Sequence, residues 1–442
     1  MSFDTHSSSF TELGLISPLS ARLTELQYQQ PTPIQAAAIP CVLAGRDLIA
    51  GANTGSGKTA TFALPLLQRL FEQPSQKNKS KDIKGNYVSG LILVPTRELA
   101  KQVADNIRSY AIHFNGVIKT VAAFGGVSSN RQMLSLRGGT DILVATPGRL
   151  LDLISSNAIK LDRVKTLVLD EADRMLSLGF AEELADLLAL MPKHKQTLLF
   201  SATFPEQVKA LTKNLLNDPV EIQLQNADSS TLVQRVFTVN KGDKTALLAH
   251  LIKRNKWQQA LIFVNAKNSC EHLAYKLAKH DITAEVFHGN KGQGARRRVL
   301  DGFKAGEIEV LIATDIAARG LDIEKLPVVI NFDLPRSPSD YMHRIGRSGR
   351  AGEVGLALSL IDHEDYHHFK IIEKKNKFRL EREQSAEFKV DETAALELAA
   401  AYLAHEKSLA APAGSGKKKA KKKAEQAQKS SSPVNFDIWS NH

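Results

Sequence analysis

The run Ala52-Asn53-Thr54-Gly55-Ser56-Gly57-Lys58-Thr59 constrains the fold more than any other part of this chain. A short apolar stretch, Asp47-Leu48-Ile49-Ala50, precedes it, and Ala60 to Leu70 follows with helical patterning. Gly55 and Gly57 let backbone N–H groups turn inward onto phosphate oxygens, and the N-terminus of the following helix faces the same charge. Such a loop belongs where a strand gives way to a helix, so it predicts an α/β fold built on parallel strands. Lys58 is placed to reach the β- and γ-phosphates and Thr59 to hold Mg²⁺. Ala52 stands where such loops usually have a first glycine, and it is small enough to leave the approach open.

A second run completes the chemistry. Asp170-Glu171-Ala172-Asp173 closes the apolar stretch Thr166-Leu167-Val168-Leu169, so Asp170 ends a strand as a Mg²⁺-linked carboxylate should. Glu171 beside it is the carboxylate placed to activate water. Phosphate loop and acid pair together describe hydrolysis of a nucleoside triphosphate.

Continuous apolar strands recur at 91–94, 141–144, 167–169 and 197–200, with helical stretches between them, as in a parallel sheet covered on both faces. A second set follows at 260–264, 284–287, 310–313, 328–331 and 356–359. The polar, unpatterned stretch near 223–232 reads as a linker. The expected organisation is one α/β domain over 1–222, a linker over 223–232, a second domain over 233–373, and a helical extension with a Lys-rich tail over 374–442. The second half has no phosphate loop of its own. Ala413-Gly414-Ser415-Gly416-Lys417-Lys418 has Lys418 in place of Ser/Thr and no strand before it, and reads as low-complexity linker.

Charge becomes informative once located. After residue 373, 14 Lys/Arg stand against 9 Asp/Glu, a net +5, which leaves +6 of the total +11 on the first 373 residues. A polyanion-facing surface on the body and a plain solvated basic surface fit that figure equally well. Lys417 to Lys423 holds six lysines in seven positions and is expected to be disordered, drawn loosely to the phosphates of a polyanion or serving as a solubility tail. The two cysteines, Cys41 and Cys270, suit a reducing compartment. With no secretory pattern at the N-terminus and no apolar run near the roughly 20 residues of a membrane span, the expectation is a cytoplasmic protein.

With these motifs read, the chain resembles the DEAD-box family of ATP-dependent RNA helicases over roughly residues 10–360, in particular the short bacterial members such as the RhlE-like branch. The resemblance implies two tandem RecA-like domains with parallel sheets. It assigns Tyr28-Gln29-Gln30-Pro31-Thr32-Pro33-Ile34-Gln35 to adenine reading, with Gln35 on the base edge and Phe10 packing on the base. Gln27 departs from the glycine usual before Tyr28. Pro95, Thr96, Arg97, Gly125, Gly126, Thr146 and Arg149 match the RNA-facing segments of the first domain, and hydroxyls, arginines and glycine N–H groups suit phosphate and sugar contacts. Thr96 and Thr146 also precede helix starts and could simply cap them. In the second domain Arg296 and Thr314 are assigned to the RNA backbone and Asp322 to the ribose of ATP. Ser201 and Thr203 are implied to hydrogen-bond Asp173 and, with His343, to couple nucleotide state to RNA. His343-Arg344-Ile345-Gly346-Arg347-Ser348-Gly349-Arg350 places three arginines at three-residue spacing, a poor way to build a core. By resemblance Arg347 and Arg350 are arginine fingers on the γ-phosphate.

The mechanism so implied binds ATP and Mg²⁺ on the first domain and hydrolyses ATP when the second closes over it, locally separating a short RNA duplex or remodelling RNA–protein complexes. RNA, single-stranded or in short duplexes, is the implied partner, with ribosomal or RNA-degradation complexes beyond it and no membrane. An ATP-gated RNA clamp that hardly unwinds is the main alternative. A DNA translocase shares the two-domain plan, and a small GTPase would need an Asn-Lys-x-Asp guanine reader, which is not found.

Overall fold

The computed structural model describes residues 9–51, 56–72, 85–114, 116–223, 232–318, 326–349 and 354–390. Ala52, Asn53, Thr54, Gly55, Asp322, Arg350 and the Lys-rich tail lie outside the described residues. The body is one compact unit extending to Phe388.

Two parallel seven-stranded sheets organise that body. The first comprises β1 (Leu48–Gly51), β2 (Val88–Leu93), β3 (Thr120–Ala123), β4 (Thr140–Ala145), β5 (Thr166–Leu169), β6 (Gln196–Ser201) and β7 (Val220–Gln223), in the order β3-β4-β2-β5-β6-β1-β7. The second comprises β8 (Leu232–Thr238), β9 (Ala260–Val264), β10 (Ala284–Phe287), β11 (Val310–Thr314), β12 (Val328–Asn331), β13 (Gly355–Ile361) and β14 (Arg382–Glu383), in the order β10-β11-β9-β12-β13-β8-β14. Counted from its own first strand, the second sheet repeats the first, strand for strand. The central strands β4, β5, β6, β9, β11 and β12 are buried along their whole length. That is why their middles read as apolar runs: both faces are packed, and the polar residues, such as Thr140, Asp141, Gln196 and Asn331, stand at the strand ends. Leu, Ile, Val and Phe from those faces form separate cores above and below each sheet.

The boundary expected at 373 falls inside a helix, Tyr366–Asn376. Beyond it β14 pairs with Val236 and Phe237 of β8, and Arg382 donates to both carboxylate oxygens of the buried Glu373 at 2.8 and 2.9 Å. Among the described residues no helix is long and apolar enough to cross a membrane.

Candidate ATPase and RNA site

Apart from Phe10 and Gln35, the described first-domain candidates lie at or just past the carboxyl ends of strands. Lys58 and Thr59 follow β1, Thr96 and Arg97 follow β2, Gly125 and Gly126 follow β3, Thr146 and Arg149 follow β4, Asp170 and Glu171 follow β5, and Ser201 ends β6. Parallel α/β sheets gather ligand groups at that end because every helix there presents its N-terminus.

Gly57 adopts φ +92°, and a Cβ there would press on the amide of Gln35. Gln35 is buried. Its Oε1 accepts from the Thr32 N–H at 2.9 Å, closing a capping box on the helix Pro33–Leu43, and its Nε2 donates to the Gly57 carbonyl at 3.2 Å. Thr32 Oγ1 donates to the Ser56 carbonyl at 2.8 Å. The amide expected on the adenine edge is therefore engaged at both ends by the chain itself, tying the adenine-motif helix to the phosphate loop. Phe10 packs into the first-domain core, 6% exposed.

Lys58 opens the helix Lys58–Glu72 with its ammonium buried and, among the described residues, without a hydrogen-bond partner. A buried ammonium in that state is costly unless an anion arrives to pair with it. Asp170 is buried as well, and burial pushes its carboxyl up to about 6, with Lys58 pulling the other way and Glu171 adding to the rise. Its Oδ1 accepts the Glu171 N–H at 3.0 Å. Glu171 itself holds a left-handed backbone, φ 53° and ψ 51°, at the cap of the helix Ala172–Ser177. A non-glycine residue in that region carries strain of a kind that gathers at active sites.

Asp173 is the hub of a polar network. Its Oδ2 accepts from Thr203 Oγ1 at 2.6 Å and from the Thr203 N–H at 3.0 Å. Ser201 Oγ donates to the Thr203 carbonyl at 2.6 Å and accepts the Asp173 N–H at 3.3 Å. Burial pushes the Asp173 carboxyl up, but His343, Thr203 and Ser201 outweigh it and hold it at about 2. His343 Nε2 stands 3.9 Å away, a distance at which it acts through charge rather than a formed hydrogen bond.

Toward the RNA-facing segments, Thr96 does cap its helix, accepting the Leu99 N–H at 3.3 Å. Thr146 occupies the cap of the helix Pro147–Ser155 with no side-chain bond to it. Pro95 leads out of β2, and the Arg97 guanidinium lies against Gly125 and Gly126 so closely that a Cβ on Gly126 would overlap it. Arg149 donates to Ser129 Oγ at 3.0 Å.

Among the described residues the second domain meets this face through three charge pairs. Arg296 Nη2 lies 2.6 Å from Glu98 Oε1, Arg174 Nη1 lies 3.4 Å from Asp340 Oδ1, and His343 faces Asp173. Arg296, expected on the RNA backbone, is buried in that ion pair and stacks over Phe287. Thr314 ends β11, and Arg347 is buried just past the helix Pro338–Ile345. The first arginine of the run corrects the expectation that such a run avoids the core. Arg344 is 1% exposed, with Nε and Nη2 on Asp315 at 2.6 and 2.7 Å and further bonds to Asn331, Asn265 and the Asp333 carbonyl. A planar fork with five donors can be buried when every donor finds an acceptor.

Residues 32–211 match the DEAD/DEAH box helicases, and residues 243–352 match the helicase conserved C-terminal domain. The ATP-dependent RNA helicase CshA of Listeria monocytogenes is 38% identical over 84% of this chain and 69% of its own length. DeaD of Escherichia coli is 39% identical over 84% of this chain and 57% of its own length. The chain belongs to the DEAD-box ATP-dependent RNA helicases. Among solved DEAD-box structures, S. cerevisiae Dbp5 bound to RNA and ADP BeF3 is similar with a TM-score of 0.73, 30% identity, and coverage of 85% of this chain and 95% of that one. Mss116 bound to ssRNA and AMP-PNP is similar with a TM-score of 0.76, 27% identity, and coverage of 89% and 82%. The two sheets are thus the tandem RecA-like domains of an RNA-stimulated, nucleotide-binding enzyme.

Several residues whose pairs hold this DEAD-box protein together carried no signal in the sequence: Glu98, Arg174 and Asp340 between the domains, and Asp315 within the second. Each has its partner far away along the chain, 29 positions for Asp315 with Arg344 and 166 for Arg174 with Asp340. Spacing within a motif says nothing about such pairs.

Proposed function

We propose that the protein hydrolyses ATP when its two domains close on single-stranded RNA, and that closing separates short duplexes or displaces bound protein. The observation that carries this reading is the buried Lys58 ammonium, without a hydrogen-bond partner among the described residues, beside the buried Asp170–Glu171 pair, with the helix Pro338–Ile345 held to the acid motif through Arg174–Asp340 and His343–Asp173. In this reading Glu171 orients and deprotonates the attacking water, Lys58 binds the β/γ-phosphates, and Arg347 and Arg350 compensate the charge that develops on the γ-phosphate. Thr59 and Asp170 would hold Mg²⁺, which supplies charge neutralisation between the phosphates. Gln35 and Phe10 select the adenine, with Gln35 exchanging an internal partner for the base, and Ala52, Asn53, Thr54, Gly55, Ser56 and Gly57 cradle the phosphates. Asp322 meets the ribose. Pro95, Thr96, Arg97, Gly125, Gly126, Thr146, Arg149 and Thr314 hold the RNA strand, and Arg296 joins them from its pair with Glu98. Asp173, Ser201, Thr203 and His343 pass nucleotide state to that strand. The setting this implies is the cytoplasm, among ribosomal or RNA-degradation complexes.

Steady-state ATPase with single-stranded RNA, beside strand separation on a short duplex, tests the reading. Turnover should rise with RNA and much less with DNA of the same sequence, and Glu171→Gln should keep ATP and RNA binding while losing turnover by about 10³ or more. Near-normal turnover in Glu171→Gln would sink the assignment of the base. RNA-stimulated ATPase without strand separation would replace the helicase by an ATP-gated clamp.

A further inference from the structure

Arg174 follows the acid motif directly, and Asp340 lies one helical turn before His343. Both are buried, their side chains 8% and 12% exposed, although they belong to different domains. Within its own domain the Arg174 guanidinium bonds Ser177 Oγ at 2.9 Å, a neutral partner. The carboxylate within ion-pair distance of it is Asp340, across the interface. Asp340 in turn is held in the first turn of the helix Pro338–Ile345, its N–H donating to Ser337 Oγ at 3.2 Å. An acid there is favoured by the helix dipole, so its position is set before the domains meet.

The neighbouring pair has the reverse polarity. The first domain offers an acid at 173 and a base at 174, and the second offers an acid at 340 and a base at 343, three residues apart on one helix face. Acid meets base twice when the helix lies in this register. Turning it so that Asp340 approached Asp173 would set two carboxylates against each other in a poorly solvated interface, a costly arrangement. The same helix runs on into the turn that carries Arg347.

Building on the proposed closure, we propose that Arg174 and Asp340 are positioning residues which, crossed with Asp173 and His343, register the Pro338–Ile345 helix against the acid motif and so set where Arg347 is presented. The pair acts through the arginine turn and touches no reacting atom. It contributes in the closed state, where the two side chains are buried together, 8% and 12% exposed.

A double-mutant cycle in the full chain tests this, using Arg174→Gln, Asp340→Asn and the double variant. A fluorophore on each domain reports closure with AMP-PNP and single-stranded RNA, and RNA-stimulated ATPase gives kcat and KM. Each single variant should close less and lose about tenfold in kcat, the size expected when one ion pair's worth of coupling is removed. The double should be no worse than the worse single, and Arg174→Lys, which keeps the charge, should retain more than half of the wild-type closure. Asp340→Asn is isosteric, so an unchanged unfolding midpoint in that variant separates register from folding. Closure and kcat within twofold of wild type in both singles, or losses that multiply in the double, overturn the inference. Wild-type protein that closes but shows no RNA-stimulated turnover would overturn the proposed function instead, and loss of that closure in the singles would still support the pair.

Discussion

Gln27 shows what one backbone position asks of a side chain. It follows the helix Ser17–Glu25 at φ 61°, with its N–H donating to the Thr24 carbonyl at 3.0 Å and the Tyr28 N–H to the Leu23 carbonyl at 2.9 Å. That is the helix-ending motif in which the left-handed position favours glycine, which explains physically why glycine is usual there and glutamine is a departure. Gln27→Gly should stabilise the first domain by about 0.5 kcal/mol, the left-handed strain relieved less the greater freedom of glycine in the unfolded chain. A lower urea midpoint for Gln27→Gly would contradict this. Asp173 makes a prediction about pH. Its carboxyl is held at about 2 against an ordinary 3.8, so its stabilisation is complete above pH 3.8 and is lost as pH falls from there through 2. The value corresponds to about 2 kcal/mol. The stability gap between wild type and Asp173→Asn should therefore be widest above pH 4 and shrink as acid is added. A gap that stays constant from pH 6 to pH 3 would mean that Asp173 acts by shape rather than charge.

At the level of elements, the strands buried on both faces were legible because a doubly covered strand is apolar through its middle. The edge strand β3 was not read as one: its burial alternates, and the four residues Thr120–Ala123 give too short a pattern. The two-residue β14 carries even less signal. The phosphate loop and acid motif were legible because their chemistry is local, whereas the buried Arg344 was misjudged because its acceptors come from three separate segments. A comparable long-range contact backs the arginine turn. A Cβ on Gly355, the first residue of β13, would overlap the Gly349 backbone nitrogen and Ser348 Oγ. Ser348 Oγ donates to the Leu326 carbonyl at 2.8 Å, and the Leu326 N–H donates to the Arg347 carbonyl at 3.0 Å. Gly355→Ala must displace that turn. It should leave ATP binding near normal and slow RNA-stimulated hydrolysis by about tenfold or more. Wild-type turnover in this variant would show that the turn has room to spare.

Across the whole molecule, two sheets of identical strand order share one phosphate-loop motif in the sequence, and in the proposed function the second domain supplies arginines instead. That division was readable from motif placement, while the meeting of the two faces needed coordinates. The far edge of the second sheet has a practical consequence. β8 is seven residues long, and β14 covers its outer side at Val236 and Phe237, fastened by Arg235 on Glu383. A chain shortened after residue 373 would bare an open row of peptide groups for another copy to pair with, and would leave Glu373 buried without Arg382. Such a chain should scatter light and sediment as it is concentrated, whereas one ending after Phe388 should stay monodisperse. Where this protein can safely be cut is thus decided by two residues of strand that lie beyond its last helicase motif.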